Sequence, residues 1–253
     1  MTLPEPDEPS TSSPATFGER HALLARGYGR REDPADPAEV LAMPIVLHLP
    51  KVEPPARSAL LAAAAVAAVA LCLDERSGPG GPWHPALLAW TDARIRKVTR
   101  RARGAQWDTA QQVDGLTVEV DGARARALVP GPVGELDPRI RKLQIGGTDL
   151  APDEPGDPEP GLPVLWVNAA LQMTVGKAAA QVGHASMLLA GAMSVDRAQR
   201  WSERGYRCSV RDADEARWTQ LCRLVADGRA VAVRDAGFTE VAPGSMTVIA
   251  VVG

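Results

Sequence analysis

Asp235 begins a polar loop, residues 235–245, that lies between two short apolar runs near the C-terminal end of the sequence. The runs, residues 230–234 and 246–252, predict buried strands because β-branched side chains fit a covered, pleated surface. The loop itself supplies a carboxylate, the Thr239 hydroxyl and a Pro-Gly turn. Polar residues that follow core strands are where α/β sheets commonly place their chemistry. The alternative is an ordinary turn between two strands.

A second polar set comprises Lys177, Gln181 and His184, which are spaced at i, i+4 and i+7. On a helix these side chains occupy an arc of roughly 60°, and Thr174 is suited to cap that helix at its start. The neighbouring positions are mostly small or apolar. A narrow polar face at a helix N-terminus suits an anionic or ester-bearing ligand, whereas a merely solvated face would more often carry Glu or Arg.

The strands and helices predicted around these residues indicate an α/β domain over residues 164–253, with a small mixed β-sheet flanked by helices. The predicted order of elements is β-α-α-β-α-β-β. They are a strand at 164–167, a helix from 176, a helical stretch around Trp201, a strand at 206–210, a helix at about 213–226 and the strands on either side of the polar loop.

The preceding region, residues 44–151, predicts an N-terminal α/β domain that we interpret as a candidate degenerate repeat of the C-terminal one. The segment 147–152 echoes 237–243, and both regions open with a strand and an Ala-rich helix. His48, in the first strand, fits a structural role better than a ligand role. The predicted elements are a strand at 44–50, helices at about 56–75 and 85–103, a hairpin at 116–129 around Asp-Gly and a short helix near 136–143.

Six cations fall close together at the end of the predicted helix 85–103, with no acid among them. A helix C-terminus favours cations, but this accounts for only part of the charge. In an acidic protein the excess predicts contact with the phosphates of a nucleic acid, and the alternative is a solvated helix end. The residues are Arg94, Arg96, Lys97, Arg100, Arg101 and Arg103.

Two segments rich in proline and acidic residues frame the N-terminal domain. Residues 1–43 lack apolar periodicity, which predicts a disordered tail. Residues 152–163 alternate proline with Asp, Glu and Gly, which predicts a linker and the boundary between the two domains.

The composition limits the class of protein. The formal charge of −3 provides no global field that would attract nucleic acid. Three cysteines without a C-x-x-C pair argue against a disulfide framework and favour a reduced, cytoplasmic interior. The long apolar run, residues 59–73, spans about 22 Å as a helix, less than the ~30 Å of a bilayer core, so it predicts a buried helix rather than a membrane span. The excess of Arg over Lys is typical of GC-rich bacterial genomes.

Two motifs, residues 173–185 and 235–248, resemble the type-2 (archaeal and eukaryotic type) peptidyl-tRNA hydrolase family. The first motif matches the pattern K-x-A-A-Q-x-x-H-A, and the second matches D-A-G-x-T-x-[IV]-x-P-G-[ST]-x-T-V. They occur in the family's order with the expected elements between them. The resemblance covers about residues 164–253 and does not extend to residues 1–163.

The resemblance implies hydrolysis of the ester between a peptide and the ribose of tRNA, with peptidyl-tRNA or another tRNA as partner and no metal or other cofactor. By position, it implies an acid at Asp235, a hydroxyl at Thr239 and a lysine at Lys177 as catalytic groups. The substrate-binding positions that it implies are Gln181, His184, Gly237 and Ser245. Carboxylate and hydroxyl groups can orient and deprotonate water, and a lysine can stabilise a tetrahedral oxyanion.

Four positions depart from the family pattern. A lysine of the family is Val175 here, and an acid in the loop after the first strand is Ala170. In the same loop, the family's arginine and lysine are Asn168 and Gln172. Three interpretations stay open: the hydrolase, with the basic segment 94–103 supplying the lost charge; a catalytically weakened module that binds tRNA or another nucleic acid; and a hydrolase of another ester or amide. The resemblance also implies a homodimer or, if the halves are duplicated, an internal pair.

Overall fold

A computed structural model describes residues 15–237 and 240–252. In its N-terminal half, four strands pair in the order β2-β1-β4-β3, and the short β5 pairs with β1. β1 and β2 run parallel, and the other pairs are antiparallel. The elements are α1 (Phe17–Ala25), β1 (Leu41–His48), α2 (Arg57–Leu73), α3 (His84–Asp92), β2 (Arg96–Ala102), α4 (Ala105–Ala110), β3 (Gly115–Val120), β4 (Ala123–Leu128), β5 (Gly131–Pro132) and α5 (Pro138–Arg141).

The C-terminal half forms a second sheet in the order β7-β6-β9-β8. β6 and β7 run parallel, and β9 is antiparallel to both β6 and β8. The predicted α/β class with small mixed sheets flanked by helices is therefore confirmed. The elements are β6 (Pro163–Asn168), α6 (Val175–Ala192), α7 (Val195–Glu203), β7 (Ser209–Ala213), α8 (Glu215–Ala226), β8 (Val231–Arg234) and β9 (Met246–Val252).

The two halves have the same topology from their first strand to the last long strand of each sheet. Each runs β-α-α-β-α-β-β, and each places its strands in the same spatial order. The echo between 147–152 and 237–243, however, is not a structural equivalence. Residues 147–152 follow the last strand of the first sheet, whereas the turn that corresponds to the polar loop is Asp121-Gly122, between β3 and β4.

α2 and α6 pack against each other and join the two sheets in one apolar core. The run 59–73 lies within α2 and is buried throughout, as its uniform apolarity predicts. Its alanines let the two helix backbones approach closely, and the buried Ser186 hydroxyl donates 2.7 Å to the carbonyl oxygen of Ala65. In the described part of the chain, no helix is long and apolar enough to cross a membrane.

The prediction of a disordered tail over 1–43 is wrong for the part that the structure describes. Residues 17–25 form α1, which begins with a reciprocal capping box between Thr16 and Glu19. His21 and Leu23 are buried, and the Nε2 atom of His21 lies 2.8 Å from the carbonyl oxygen of Ala190 in α6. The local capping and these two contacts outweigh the surrounding proline content. Residues 1–14 lie outside the described residues.

The prediction that the six cations end a helix is also wrong. α3 ends at Asp92, the chain reverses near Ile95 at a positive φ of 43°, and residues 96–102 form β2. Parallel pairing with β1 along the whole length of β2 replaces the helix. The cations therefore alternate between the two faces of a strand and do not share a helical face.

The predicted linker, 152–163, crosses between the two halves without regular structure until β6 begins at Pro163. It is fixed to the N-terminal half, because the Asp153 carboxylate accepts from both the backbone N–H and the hydroxyl of Ser58, at 2.8 and 2.5 Å, at the start of α2. The linker thus separates two topological units that share one core. The division into domains at this segment stays a prediction.

Candidate functional site

The site is built on the N-terminal end of α6. The Thr174 hydroxyl caps the helix by accepting from the backbone N–H of Lys177 at 3.2 Å. The Glu240 carboxylate in turn accepts from the Thr174 N–H and hydroxyl, at 2.9 and 2.8 Å. The capping residue of α6 is therefore tied to the loop between β8 and β9.

Asp235 lies at the end of β8, where it meets the polar stripe of α6. Its Oδ2 atom accepts from Lys177 Nζ at 2.5 Å and from Gln181 Nε2 at 2.8 Å. The two charged side chains are only 10% and 9% exposed. Gln181 is held in this orientation because its Oε1 atom accepts from the Thr247 hydroxyl at 2.6 Å. The cluster is a largely buried ion pair with a fixed amide donor beside it, a setting in which charges interact strongly.

The loop after Asp235 is folded back on itself, and Gly237 makes this geometry accessible. Gly237 has a φ of 80°, and a Cβ there would lie 2.4 Å from the Cγ atom of Pro243. Its N–H donates to Asp235 Oδ1 at 2.8 Å, so both carboxylate oxygens are engaged. The Ser245 carbonyl oxygen accepts from the Asp235 N–H at 2.9 Å. Gly237 and Ser245 thus contact Asp235 through their backbones.

His184 occupies the far end of the stripe and meets a residue of the N-terminal half. Its Nδ1 atom lies 3.1 Å from Nζ of Lys97 in β2, and the same Nζ lies 4.9 Å from the Trp90 ring centroid. Burial lowers the pKa of Lys97 to about 7. Burial also lowers the pKa of His184 well below its ordinary value, and the charges of Lys97 and Lys177 act in the same direction. The imidazole of His184 is therefore neutral at neutral pH.

The N-terminal half also holds the start of α6 directly. The Thr99 hydroxyl donates to the carbonyl oxygen of Gly176 at 2.7 Å, and the Gly176 N–H donates to the Thr148 hydroxyl at 3.0 Å. Lys97 and Thr99 are two residues apart on β2 and so share a face, which packs along α6. Both halves of the chain therefore position this helix.

The other predicted cations do not join the cluster around Asp235. Arg96 donates to both carboxylate oxygens of Asp33 at 2.6 and 2.8 Å, and Arg94 lies 3.4 Å from the same carboxylate. The segment contains no acid of its own, but Asp33, from a distant part of the sequence, is the acidic partner of Arg94 and Arg96. Arg100 donates to the carbonyl oxygens of Arg141 and Leu143, Arg101 donates to Gln144, and Arg103 is exposed.

Thr239, the predicted catalytic hydroxyl, lies outside the described residues. Among the positions that depart from the family pattern, Val175 is buried in the first turn of α6, and Ala170 is exposed. Asn168 caps the short turn that follows β6 by accepting from the Ala170 N–H at 3.1 Å. None of these uncharged side chains replaces the charged residue that the family pattern has at its position.

The N-terminal half has no equivalent of the polar stripe. Counted from the capping residues Ala56 and Thr174, the positions of Lys177, Gln181 and His184 correspond to residues of α2 that are all apolar and buried. The charged cluster therefore belongs to the C-terminal half alone. The α2 residues are Ala59, Ala63 and Val66.

Three contributors to the site were missed by sequence reasoning: Glu240, Thr247 and the contact of Lys97 with His184. Glu240 and Thr247 lie within the quoted motif, so their proximity to Asp235 was a usable signal. Lys97 was predicted to bind nucleic acid, and no local pattern indicates that β2 crosses α6. Among the described residues, no three His, Cys, Asp or Glu side chains lie close enough together to hold a metal ion.

Comparison with known proteins agrees with this geometry. Residues 163–252 match the family model described as "Peptidyl-tRNA hydrolase PTH2". A curated relative, the "Probable peptidyl-tRNA hydrolase 2" of Caenorhabditis elegans, is 34% identical over 98 residues, which cover 36% of this chain and 31% of the relative. The chain thus spans about a third of that relative's length. No solved structure matches the chain at a significant level.

The match covers all of the C-terminal residues that form the cluster, Lys177, Gln181 and Asp235 among them. It begins at the first residue of β6 and ends at the last residue of β9. The resemblance of residues 163–252 to the type-2 peptidyl-tRNA hydrolase family is therefore confirmed.

Proposed function

We propose that the chain hydrolyses the ester that joins a peptide, or an N-blocked amino acid, to the ribose of tRNA. One observation carries the proposal: Asp235, Lys177 and Gln181 form a single, largely buried cluster within the region that matches the family. A rigid carboxylate beside a lysine offers both a group that orients water and a cation for a developing oxyanion.

In the proposed reaction, Asp235 and the Thr239 hydroxyl orient a water molecule against the ester carbonyl carbon. The water oxygen bonds to that carbon while Asp235 accepts a proton from the water. The Lys177 ammonium stabilises the oxyanion of the tetrahedral intermediate. The bond from carbon to the ribose oxygen then breaks, and the proton held by Asp235 passes to that oxygen. The products are a free carboxylic acid and a tRNA with an intact ribose.

The position of the site at a helix N-terminus supports an anionic substrate. The first turn of α6 carries Lys177 and no acidic residue, and the positive end of a helix favours negative charge. We propose that Arg103, the exposed residue that follows β2, contributes a further contact with tRNA phosphates, with Arg101 beside it. Release of tRNA from stalled peptides would place the chain in ribosome recycling in the cytoplasm.

The decisive comparison is between Asp235→Asn and Asp121→Asn. Asp235→Asn keeps the size of the side chain but removes the base and the ion pair, so we expect release of tRNA from N-blocked aminoacyl-tRNA to fall about 10²–10⁴-fold. Asp121 is a matched control, because it occupies the corresponding turn of the N-terminal half. Asp121→Asn should hydrolyse the substrate at the wild-type rate.

A tRNA-binding module without catalysis is the second candidate, and Val175 in place of the family's lysine is the observation that favours it. The same experiment separates the two. If the wild-type chain binds the tRNA in a salt-dependent way but releases no product, the hydrolase proposal is wrong. Release that Asp235→Asn leaves unchanged would instead show that the chemistry occurs elsewhere.

A further inference from the structure

We propose that Lys97, which the N-terminal half supplies, is a positioning residue of the hydrolase site and acts through His184. The proposal rests on the proposed function and adds a residue from outside the region that matches the family. Three observations support it. They are the geometry of the hydrogen bond between Lys97 and His184, the desolvation cost of the Lys97 ammonium, and the apolar packing of the two corresponding positions in the internal repeat.

The geometry assigns the proton on the His184 ring. Below its pKa of about 7, Lys97 is an ammonium group with donors and no acceptor, so it donates and Nδ1 of His184 accepts across 3.1 Å. The proton of the neutral imidazole must then reside on Nε2. Within the described residues, Nε2 has no hydrogen-bond partner, so Lys97 fixes a neutral ring with one N–H donor available to a ligand.

The contact lies next to the charged cluster. His184 is one turn along α6 from Gln181, which donates to Asp235. Gly183 leaves room for the Lys97 side chain: a Cβ there would lie 3.3 Å from Cδ and Cε of Lys97, which is a tight contact. The backbone of α6 thus leaves room for a side chain from the other half.

Packing alone does not account for a lysine here. Desolvation disfavours the ammonium, as the lowered pKa of Lys97 shows, and apolar residues of similar volume commonly pack such positions at no loss of stability. The internal repeat provides the comparison. Aligned by the C-terminal ends of β2 and β7, Lys97 corresponds to Cys208, and counted from the capping residues of α2 and α6, His184 corresponds to Val66. Val66 is buried, and Cys208 packs against the apolar core.

Among the described contacts of Lys97, no carboxylate pairs with its charge. From α2, Cys72 has a pKa raised to about 12 by burial and is a neutral thiol. From α3, the Trp90 ring stabilises the cation. From α6, His184 accepts a hydrogen bond, and Lys177 is a second cation that lowers the pKa of His184. The hydrogen bond to His184 is thus the polar contact that orients the ammonium.

The test compares Lys97→Met with Lys142→Met, which makes the same change at an exposed lysine of the same half. We expect Lys97→Met to lower kcat for N-blocked aminoacyl-tRNA about 10- to 100-fold, the range for a misplaced reacting group, with KM nearly unchanged. Lys142→Met should match the wild type. Adding His184→Ala to Lys97→Met should cost no more than His184→Ala alone, because the two residues act as one unit.

Nitrogen NMR of the histidine rings provides a readout that does not depend on activity. The wild type should show a neutral His184 protonated on Nε2, and Lys97→Met should lose this single tautomer and raise the pKa of His184. Unchanged ring signals in a folded Lys97→Met variant would overturn the proposal, as would an unchanged kcat. A wild-type chain that releases no tRNA would refute the proposed function instead, and the ring signals would still show whether Lys97 sets the state of His184.

Discussion

At the scale of single residues, the site gains its rigidity from groups that hold one another. Asp235 accepts from Lys177, Gln181 and Gly237, and Gln181 is itself fixed by Thr247. Removing one member leaves a buried partner without compensation, which costs more than the pair contributes to stability. Substitutions at Asp235 should therefore be isosteric if catalysis is to be separated from folding.

The lowered pKa of Lys97 predicts how stability changes with pH. The folded chain releases the Lys97 proton near pH 7, whereas the unfolded chain keeps it until about pH 10.4. Between these values the unfolded state binds more protons, so the free energy of unfolding rises with pH, by up to about 1.4 kcal/mol per pH unit. Lys97→Met should remove this slope.

Urea denaturation at pH 7, 8 and 9 checks the prediction, with Lys142→Met as the control that keeps the wild-type slope. The window ends near pH 9 because burial raises the pKa of Cys72 and of Cys208 to about 12. Above pH 9 the folded chain holds those thiol protons longer than the unfolded chain, which reverses the trend. Equal slopes in wild type and Lys97→Met would contradict the assigned burial of Lys97.

The residue types at the site were predictable from sequence because the polar stripe stands out against small neighbours. Lys177 and Gln181 were expected on one face of a helix, and the structure brings them to Asp235. The contact of Lys97 with His184 was not predictable, since it depends on a strand crossing a helix 87 residues away. Single-sequence patterns report local periodicity and carry no signal for such a crossing.

At the scale of elements, β2 shows how tertiary pairing overrides a local pattern. The positively charged segment 94–103 fits a helix by composition, but a full-length parallel neighbour makes it a strand. α1 shows the reverse case, in which a capping box and two buried side chains form a helix within a proline-rich segment. Long-range contacts act in both cases, through β1 for β2 and through Ala190 for His21, but the capping box of α1 is a local signal.

Gly176 allows β2 to approach α6, and we expect Gly176→Ala to weaken that approach. A Cβ at this position would lie 2.9 Å from the Thr99 hydroxyl oxygen and 3.1 Å from that of Thr148. Overpacking of this kind costs about 1–3 kcal/mol, against a gain of at most about 1 kcal/mol from the helix propensity of alanine, so we expect a net loss.

Thermal unfolding measures this loss as a lower Tm for Gly176→Ala. Gly146→Ala is the matched control, because a Cβ at Gly146 meets no atom within 4 Å. A Tm of Gly176→Ala equal to that of the control would show that the contact between the halves at Thr99 and Thr148 yields easily.

The exposed position of Arg103, directly after β2, predicts that this residue contributes to tRNA affinity. Arg103→Glu should weaken tRNA binding and reduce the salt slope of the association constant by about one or more, because each phosphate contact releases about one counterion. Arg229→Glu makes the same change at the opposite end of β8 from Asp235 and should leave the slope unchanged. Identical salt slopes for the two variants would show that Arg103 does not contact the tRNA phosphates.

At the scale of the whole molecule, the two halves depend on each other for their core. α2 and α6 bury one another, and the Arg57–Asp212 ion pair, at 2.5 Å, joins the start of α2 to β7. The fold class of each half was predictable because strand and helix patterns alternate clearly along the sequence. The shared core was not predictable, since the acidic proline segment is typical of a linker between separate domains.

We therefore expect residues 163–252, expressed alone, to lack a stable monomeric fold. The face of α6 that α2 covers would be exposed, and small domains have little apolar burial to spare. Urea unfolding at several protein concentrations tests this, with the full chain as the reference that should unfold in one cooperative transition. A fragment that unfolds cooperatively and independently of concentration would contradict the prediction.

The single contact between Lys97 and His184 has a consequence for how such a site can change over time. In an assembly of two identical chains, every substitution appears twice, so a lysine introduced on one side must be tolerated at the symmetric position as well. Here the corresponding positions are Cys208 and Val66, and each side can be altered alone. When the two units lie in one polypeptide, one unit can therefore acquire residues that position the site of the other unit without carrying the same change in both.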